Sequence, residues 1–253
     1  MWAAAEVLSF IGFVTVFAPR DQASATGRSM PSSSDGTIFP TQINVKGQDW
    51  TVYSIGGTPA QVVQHGVLEV VTSRPDLVVA GINYGESLGQ SITISGNLGA
   101  AMVAAALGVP ALAVSLQLLE KAHFYNYELL DFSAAAFFTQ YFAQMIITHG
   151  LPEGTNLLEV DVPACATTQT PWRITSLAKH RYYQPEATWR KSLNDESSIT
   201  FHSNVNPSDI SHESDIQAVL FDRVVSATPL TLDMTARINL EGLNQKWHNT
   251  NMK

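Results

Sequence analysis

One stretch of the chain predicts a strand, a loop and the start of a helix in succession: Arg74-Pro-Asp-Leu-Val-Val-Ala-Gly-Ile-Asn83-Tyr-Gly-Glu-Ser-Leu-Gly89, followed by Ser95-Gly-Asn97. The apolar run from Leu77 to Ala80 lacks polar alternation, which is typical of a strand covered on both faces of a parallel sheet. The amide of Asn83 therefore follows the carboxyl end of a strand. Ligands of open α/β sheets bind beyond those ends, and a helix that begins near Ser95 directs unpaired backbone N–H groups to the same place. The stretch predicts an anion site suited to a phosphate.

The remaining sequence alternates helical and strand patterns around this unit. Helices are predicted at 2–10, 59–72, 97–107 and 132–149, and strands at 14–17, 37–45, 50–54, 110–116, 156–162 and 219–230. The pattern predicts an α/β fold with a mostly parallel sheet in the first two thirds and a β-rich extension after it. We divide the chain into a core at 1–178, a projecting arm or loop at 179–214, and a C-terminal strand and tail at 215–253.

Composition excludes several classes of partner and site. The 253-residue chain has a formal net charge of −8, so a nucleic-acid backbone is not expected as its main partner. Charged residues make up only 14%, which favours coverage of part of the surface by another subunit. The single cysteine, Cys165, excludes an intramolecular disulfide and a cysteine metal cage, and suits the cytoplasm. The apolar N-terminal segment is interrupted by Glu6, and we expect neither a signal peptide nor a membrane span.

A set of motifs in unbroken order resembles the survival protein SurE family of metal-dependent nucleotidases. The matching segments are Val16-Phe-Ala-Pro19 with the Ser-rich loop after it, Gly57-Thr-Pro59, Pro75-Asp-Leu-Val-Val-Ala-Gly-Ile-Asn83, Tyr84-Gly-Glu-Ser-Leu-Gly89, Ser95-Gly96, Gly108-Val-Pro-Ala-Leu-Ala-Val-Ser115 and Val225-Ser-Ala-Thr-Pro-Leu230. The resemblance implies a Rossmann-like, three-layer core and an enzyme that removes phosphate from nucleoside 5′- or 3′-monophosphates. It also implies a homodimer or homotetramer that exchanges C-terminal elements.

The resemblance further implies one divalent cation, Mg²⁺ or Mn²⁺, bound by two consecutive aspartates, a loop serine and the asparagine of the Gly-Ile-Asn motif. By position the serine is Ser24 and the asparagine is Asn83. The phosphate is expected at Ser95, Gly96 and Asn97, where the family usually has threonine in place of Asn97. Such a cation polarises a phosphoryl oxygen and activates a water, while helix N–H groups balance the phosphoryl charge.

The sequence departs from the family at its beginning, where the family's first strand and its aspartate pair are absent. Two neutral oxygens hold a hard cation weakly, and Asp21, Asp35 and Glu86 are interpreted as solvated loop charges. We expect the natural product to carry about fifteen more residues, as that strand and loop require. The alternative hypothesis is a catalytically inactive homologue that binds a nucleotide or serves as a structural subunit.

Overall fold

The computed structural model of the protein describes residues 1–118, 130–203 and 205–250. The helices are α1 (Trp2–Leu8), α2 (Pro59–His65), α3 (Gly96–Ala106), α4 (Ser133–His149) and α5 (Leu240–His248). The strands are β1 (Val16–Pro19), β2 (Ile38–Val45), β3 (Gln48–Ile55), β4 (Val78–Tyr84), β5 (Ala111–Leu116), β6 (Leu157–Val162), β7 (Trp172–Ile174), β8 (Tyr183–Ala187), β9 (Ile199–Ser203) and β10 (Val225–Leu230). Residue 204 of the predicted arm and residues 251–253 of the predicted tail lie outside the described part.

The larger sheet has the strand order β4-β5-β6-β10-β7. Strands β4, β5 and β6 are parallel, whereas β10 runs antiparallel to β6 and parallel to β7. Every residue of β5 and β6 is buried, because helices cover both faces of the sheet. Helices α1 and α4 pack on one face and α3 packs on the other. These layers place the carboxyl ends of β4 and β5 beside the start of α3.

A smaller sheet has the order β1-β3-β2, with β1 parallel to β3 and β2 antiparallel to β3. Among the described residues, no strand pairs with the outer edge of β1 or with that of β4. The two sheets are therefore joined by helices and loops rather than by a continuous ladder. Helix α2 contacts both β1 and α3, and α1 contacts α4.

Three predicted elements differ from the structure. The helix predicted at 59–72 ends as α2 at His65 and continues as one wide turn to Val70. Residues 219–221, predicted as strand, belong to the helical turn Gln217–Phe221, in which Val219 is buried and Phe221 is exposed, and the strand begins only at Val225. The region 179–214 lacks the apolar density of a core, yet β8 and β9 pair within it as a hairpin.

Exposed apolar side chains are concentrated on this hairpin and on the C-terminal tail. Trp189 is 83% exposed and Leu193 89%, and α5 buries none of its residues. Within 1–118, 130–203 and 205–250, no helix combines the length and the apolar character that crossing a bilayer requires.

The loop at 23–28 packs directly on the first turns of α3. A Cβ added at Gly99 would lie 2.1 Å from the carbonyl oxygen of Gly27 and 2.9 Å from the backbone nitrogen of Arg28. Those neighbours are backbone atoms, so they cannot rotate away. The backbone N–H of Gly27 also donates to the carbonyl of Ile94 at 3.0 Å. This contact fixes the loop after β1 against α3.

We expect Gly99→Ala to lower the free energy of unfolding by about 1–3 kcal/mol, because the new methyl group forces the loop and the helix apart. The matched control is Gly242→Ala in α5, where the nearest atoms belong to the side chain of Asn239. Alanine at position 242 is expected to leave the free energy of unfolding unchanged or to raise it. Urea unfolding of both variants measures the difference, and equal stability of the two would contradict the packing described.

Candidate functional site

Asn83 lies at the carboxyl end of β4, just after an irregularity in its pairing with β5. The register shifts between Ala80 and Asn83, and Gly81 has φ 137. A Cβ at Gly81 would lie 2.6 Å from the carbonyl oxygen of Val114, so only glycine fits this approach. The Asn83 Nδ2 donates to the carbonyl of Gly85 at 2.7 Å, which leaves the amide oxygen as the atom that could ligate a cation.

The start of α3 supplies the predicted anion site. Ser95 is the N-cap, and its Oγ accepts from the backbone N–H of Leu98 at 3.3 Å. The hydroxyl of Ser87 donates to the same Oγ at 3.0 Å. Gly96 and Asn97 follow as the first helical residues, and the Asn97 Nδ2 donates to the carbonyl of Val114 at 3.1 Å. The Asn97 side chain thus anchors α3 to β5, while its backbone belongs to the N-terminal turn.

The loop that carries Ser24 lies beside the start of α3. Ser24 is exposed, and the nearby Ala23 carbonyl and Thr26 hydroxyl lie 3.3 Å and 2.8 Å from a Cβ built on Gly96. The side-chain amide of Gln22 donates to Ser24 at 3.4 Å and also to the hydroxyl of Tyr84, the residue after Asn83. Sequence reasoning therefore named residues from three separate segments that meet at one edge of the larger sheet.

Glu86 departs from the interpretation as a solvated loop charge, because it is 6% exposed. Its Oε1 accepts from the hydroxyls of Tyr182 at 2.6 Å and Tyr183 at 3.2 Å, and its Oε2 accepts from the backbone N–H of Leu118 at 3.2 Å. Burial and the neighbouring Glu86 carboxylate raise the pKa of both tyrosines, so they remain donors. Glu86 thereby fixes the loop after β4 to the base of the hairpin.

The other two acids considered from sequence lie at the surface. Asp21 pairs with Arg20 at 3.4 Å and is 84% exposed. Asp35 accepts from Thr37 and from Arg20, and these hydrogen bonds lower its pKa to about 2. Both carboxylates therefore pair with the same guanidinium, that of Arg20, at the surface.

Sequence reasoning missed a group of buried carboxyls behind the site: Glu159, Asp161 and Asp215. The Oδ1 of Asp161 accepts from the backbone N–H of Ser87 at 2.8 Å, and Asp161 stands in register with Ser115. Asp215 accepts from the backbone N–H groups of Gly89 at 2.6 Å and Ala178 at 2.8 Å. Two acids within the apolar strand Leu157-Leu-Glu-Val-Asp-Val162 were the signal that could have revealed this group.

Glu159 and Asp161 differ in how their carboxyls are satisfied. Neither carboxylate oxygen of Glu159 has a hydrogen-bond partner among the described residues. Burial, and then the charges of Asp161 and Asp215, raise its pKa well above the ordinary value of 4.5. Burial also raises the pKa of Asp161, but the Ser87 N–H opposes that rise. Burial therefore opposes ionisation of both carboxyls, and the Ser87 N–H favours the charged form of Asp161 only.

A carboxyl that binds its proton more tightly in the folded than in the unfolded chain makes the free energy of unfolding fall as the pH rises above 4.5. We expect Glu159→Gln to reduce that fall between pH 4.5 and neutral pH, because the amide cannot ionise. The control is Glu241→Gln at an exposed position of α5. Urea unfolding across this range measures the slope, and identical slopes for the two variants would contradict the assignment.

Within the described ranges, no group of three or more His, Cys, Asp or Glu side chains is arranged to hold a metal ion. Ser24 offers a neutral hydroxyl oxygen and Asn83 a neutral amide oxygen. Mg²⁺ and Mn²⁺ sites depend on carboxylate oxygens, so these residues alone do not fit such a cation.

Comparison with known proteins gives concordant results. The family model described as Survival protein SurE matches residues 1–184. The 5′-nucleotidase SurE of Methanocella arvoryzae is 38% identical over 242 residues, covering 93% of this chain and 88% of the relative. The 5′-nucleotidase SurE of Thermococcus gammatolerans is 37% identical over 254 residues, covering 95% of this chain and 88% of the relative. The crystal structure of the Sure protein from Aquifex aeolicus matches with a TM-score of 0.75 and 26% identity, covering 97% of this chain and 93% of that chain.

The structural match confirms the expected three-layer α/β fold with a mostly parallel sheet. The family match includes the segments that carry Ser24, Asn83 and Ser95, and the name of these relatives denotes a hydrolase. The family match, the sequence identity to these relatives and the shared fold together show that this chain belongs to the SurE family.

Proposed function

We propose that the protein is a phosphomonoesterase that hydrolyses nucleoside 5′- or 3′-monophosphates to nucleoside and phosphate. The observation that carries the proposal is the N-terminal turn of α3, capped by Ser95, near the carboxyl end of β4, where Asn83 lies. The 5′-nucleotidase name of the relatives supports the substrate class.

The first turn of α3 binds the phosphoryl group in this proposal. Its unpaired backbone N–H groups and the helix dipole favour a dianion at Gly96 and Asn97. The Ser95 hydroxyl already accepts from Ser87 and Leu98, so its own hydrogen is available to donate to a phosphoryl oxygen. Asp161 holds the Ser87 backbone in place beneath this contact. Such donors stabilise the charge that spreads over the phosphoryl oxygens during transfer.

The family resemblance implies Mg²⁺ or Mn²⁺ as cofactor, with Ser24 and Asn83 among its ligands. Because these two residues alone do not fit a hard divalent cation, we derive no catalytic step through the metal. The same observation favours a second candidate function, a non-catalytic SurE homologue that binds a nucleotide without hydrolysing it.

Phosphate release from adenosine 5′-monophosphate in the presence of Mn²⁺ or Mg²⁺ distinguishes the two candidates. Under the phosphomonoesterase proposal the unaltered chain releases phosphate, and Asn83→Ala reduces the rate at least about a hundredfold, as the loss of one placed polar group at a reacting centre does. The matched control is Asn194→Ala at the exposed tip of the hairpin, with an unchanged rate.

Full activity of the Asn83→Ala variant would refute the role of this residue. Nucleotide binding without phosphate release under any of these metal conditions would support the non-catalytic candidate instead.

We also propose a cytoplasmic homodimer or homotetramer in which the hairpin and the region 215–253 contact a second subunit. Exposed apolar residues on both segments support the assembly, since large apolar patches mark interaction surfaces. The free thiol of Cys165 is exposed, which suits a reducing compartment.

Sedimentation equilibrium tests the assembly, with an expected mass of two or four times 27.5 kDa. We expect the double substitution Leu193→Asp and Trp247→Asp to lower that mass, because charges replace exposed apolar surface. The control Asn194→Asp places one charge at a polar position of the hairpin tip. A monomeric mass for the unaltered chain would contradict the proposal.

A further inference from the structure

Four buried carboxyls lie close together behind the loop that follows β4, and we call them the carboxyl cluster: Glu86, Glu159, Asp161 and Asp215. Each of these residues is at most 6% exposed. Asp161 accepts from the backbone N–H of Ser87 at 2.8 Å, and Asp215 accepts from that of Gly89 at 2.6 Å. The carboxyl cluster therefore holds the loop that carries Ser87 toward Ser95.

The surroundings of the carboxyl cluster supply no compensating cation. In the described part of the chain, none of the ion pairs includes one of its members, and the two carboxylate oxygens of Glu159 have no hydrogen-bond partner. The α3 helix, which packs on this face of the sheet, contains no titratable residue, and Tyr183 is a further titratable group that acts on Asp161. The residues in register with Glu159 and Asp161 on the neighbouring strands are neutral: Ala113, Ser115, Ser226 and Thr228.

Negative charges that are buried together without a cation oppose one another's ionisation. Burial raises the pKa of Asp161 well above its ordinary value, the Ser87 N–H opposes that rise, and the charges of Asp215 and Glu86 add to it. Carboxyls that interact in this way take up and release protons as a group. A further negative charge nearby therefore shifts the carboxyl cluster toward its protonated form.

Only Ser87 separates Asp161 from the anion position proposed above. Ser87 donates its backbone N–H to Asp161 at 2.8 Å and its hydroxyl to the Oγ of Ser95 at 3.0 Å. Ser95 caps the helical turn at which the anion is expected. A dianion at this turn thus adds negative charge next to the residue whose N–H favours the charged form of Asp161.

We propose that Asp161 is a positioning residue that couples proton uptake by the carboxyl cluster to anion binding at the start of α3. The inference rests on the proposed function, because it places the anion at the same helical turn. Asp161 holds Ser87, and a proton from solvent binds a carboxylate of the cluster when the anion binds, which weakens the repulsion between them. Because such coupling is reciprocal, the anion affinity falls as the pH rises through the range in which the free carboxyl cluster loses its protons.

Calorimetric titration with sulfate between about pH 5 and pH 8 tests this coupling. Sulfate suits a helix N-terminus and remains a dianion over this range, so its own protonation contributes nothing. Titrations at each pH in two buffers of different ionisation enthalpy give the number of protons taken up. We expect about half to one proton per bound sulfate, and therefore an affinity that falls about three- to tenfold per pH unit in part of this range.

The variant Asp161→Asn separates charge from position, because its amide oxygen can still accept from Ser87. We expect it to raise the sulfate affinity several-fold at pH 8 and to reduce the proton uptake by at least about half. The control Asp76→Asn removes the same charge at an exposed position just before β4. It is expected to change neither quantity, because solvent and salt screen a surface charge.

A second variant, Glu86→Gln, removes a charge that raises the pKa of Asp161 and leaves the Ser87 contact in place. We expect the fall in sulfate affinity to move to lower pH in this variant, because the remaining carboxyls lose their protons more readily. A fall at an unchanged pH would contradict the coupling.

The outcomes separate this inference from the proposed activity. Sulfate binding without proton uptake overturns the coupling, as does uptake that Asp161→Asn leaves unchanged, because a group outside the carboxyl cluster then takes up the proton. Absence of sulfate binding by the unaltered chain at every pH overturns it as well. Coupled uptake in a chain that releases no phosphate from adenosine 5′-monophosphate supports the inference, and in that case the proposed activity alone fails.

Discussion

The backbone contact between the loop at 23–28 and the first turns of α3 is the constraint on which the site depends. The two sheets share no ladder among the described residues, so the position of Ser24 relative to Asn83 is set by packing and by hydrogen bonds of the loop. Gly99 allows the Gly27 carbonyl to approach α3 more closely than any side chain would permit. Strand pairing therefore orients Asn83 and Ser115, whereas the glycine contact orients the loop that faces them.

The sequence predicted the parts of the fold that depend on local pattern. The predicted strands β5 and β6 are fully buried and parallel, and α3 begins at Gly96, where the sequence predicted a helix start near Ser95. Asn83 and Ser95 were grouped through the strand-loop-helix pattern and Ser24 through the family resemblance, and the structure places their segments together. Strands that are buried on both faces consist mostly of apolar residues, so a short apolar run in the sequence identifies them.

The parts that the sequence did not predict depend on neighbours distant along the chain. From sequence Glu86 was interpreted as a solvated loop charge, yet its partners Tyr182 and Tyr183 lie 96 and 97 residues later in the chain. Whether Glu159 and Asp161 ionise depends on burial and on Asp215, which no local pattern contains. The hairpin of β8 and β9 is mostly exposed, and Pro185 breaks the pattern of β8, so this strand lacks the regular alternation by which strands are recognised.

The contact of Glu86 with the two tyrosines has a mechanical consequence. Tyr182 and Tyr183 begin the hairpin, while Glu86 belongs to the loop that carries Ser87 toward Ser95. A force that displaces the base of the hairpin must either break two buried O–H···O bonds or pull this loop with it. The position of the hairpin is therefore coupled to that of the loop that carries Ser87, and a contact that holds the exposed hairpin also orders this loop.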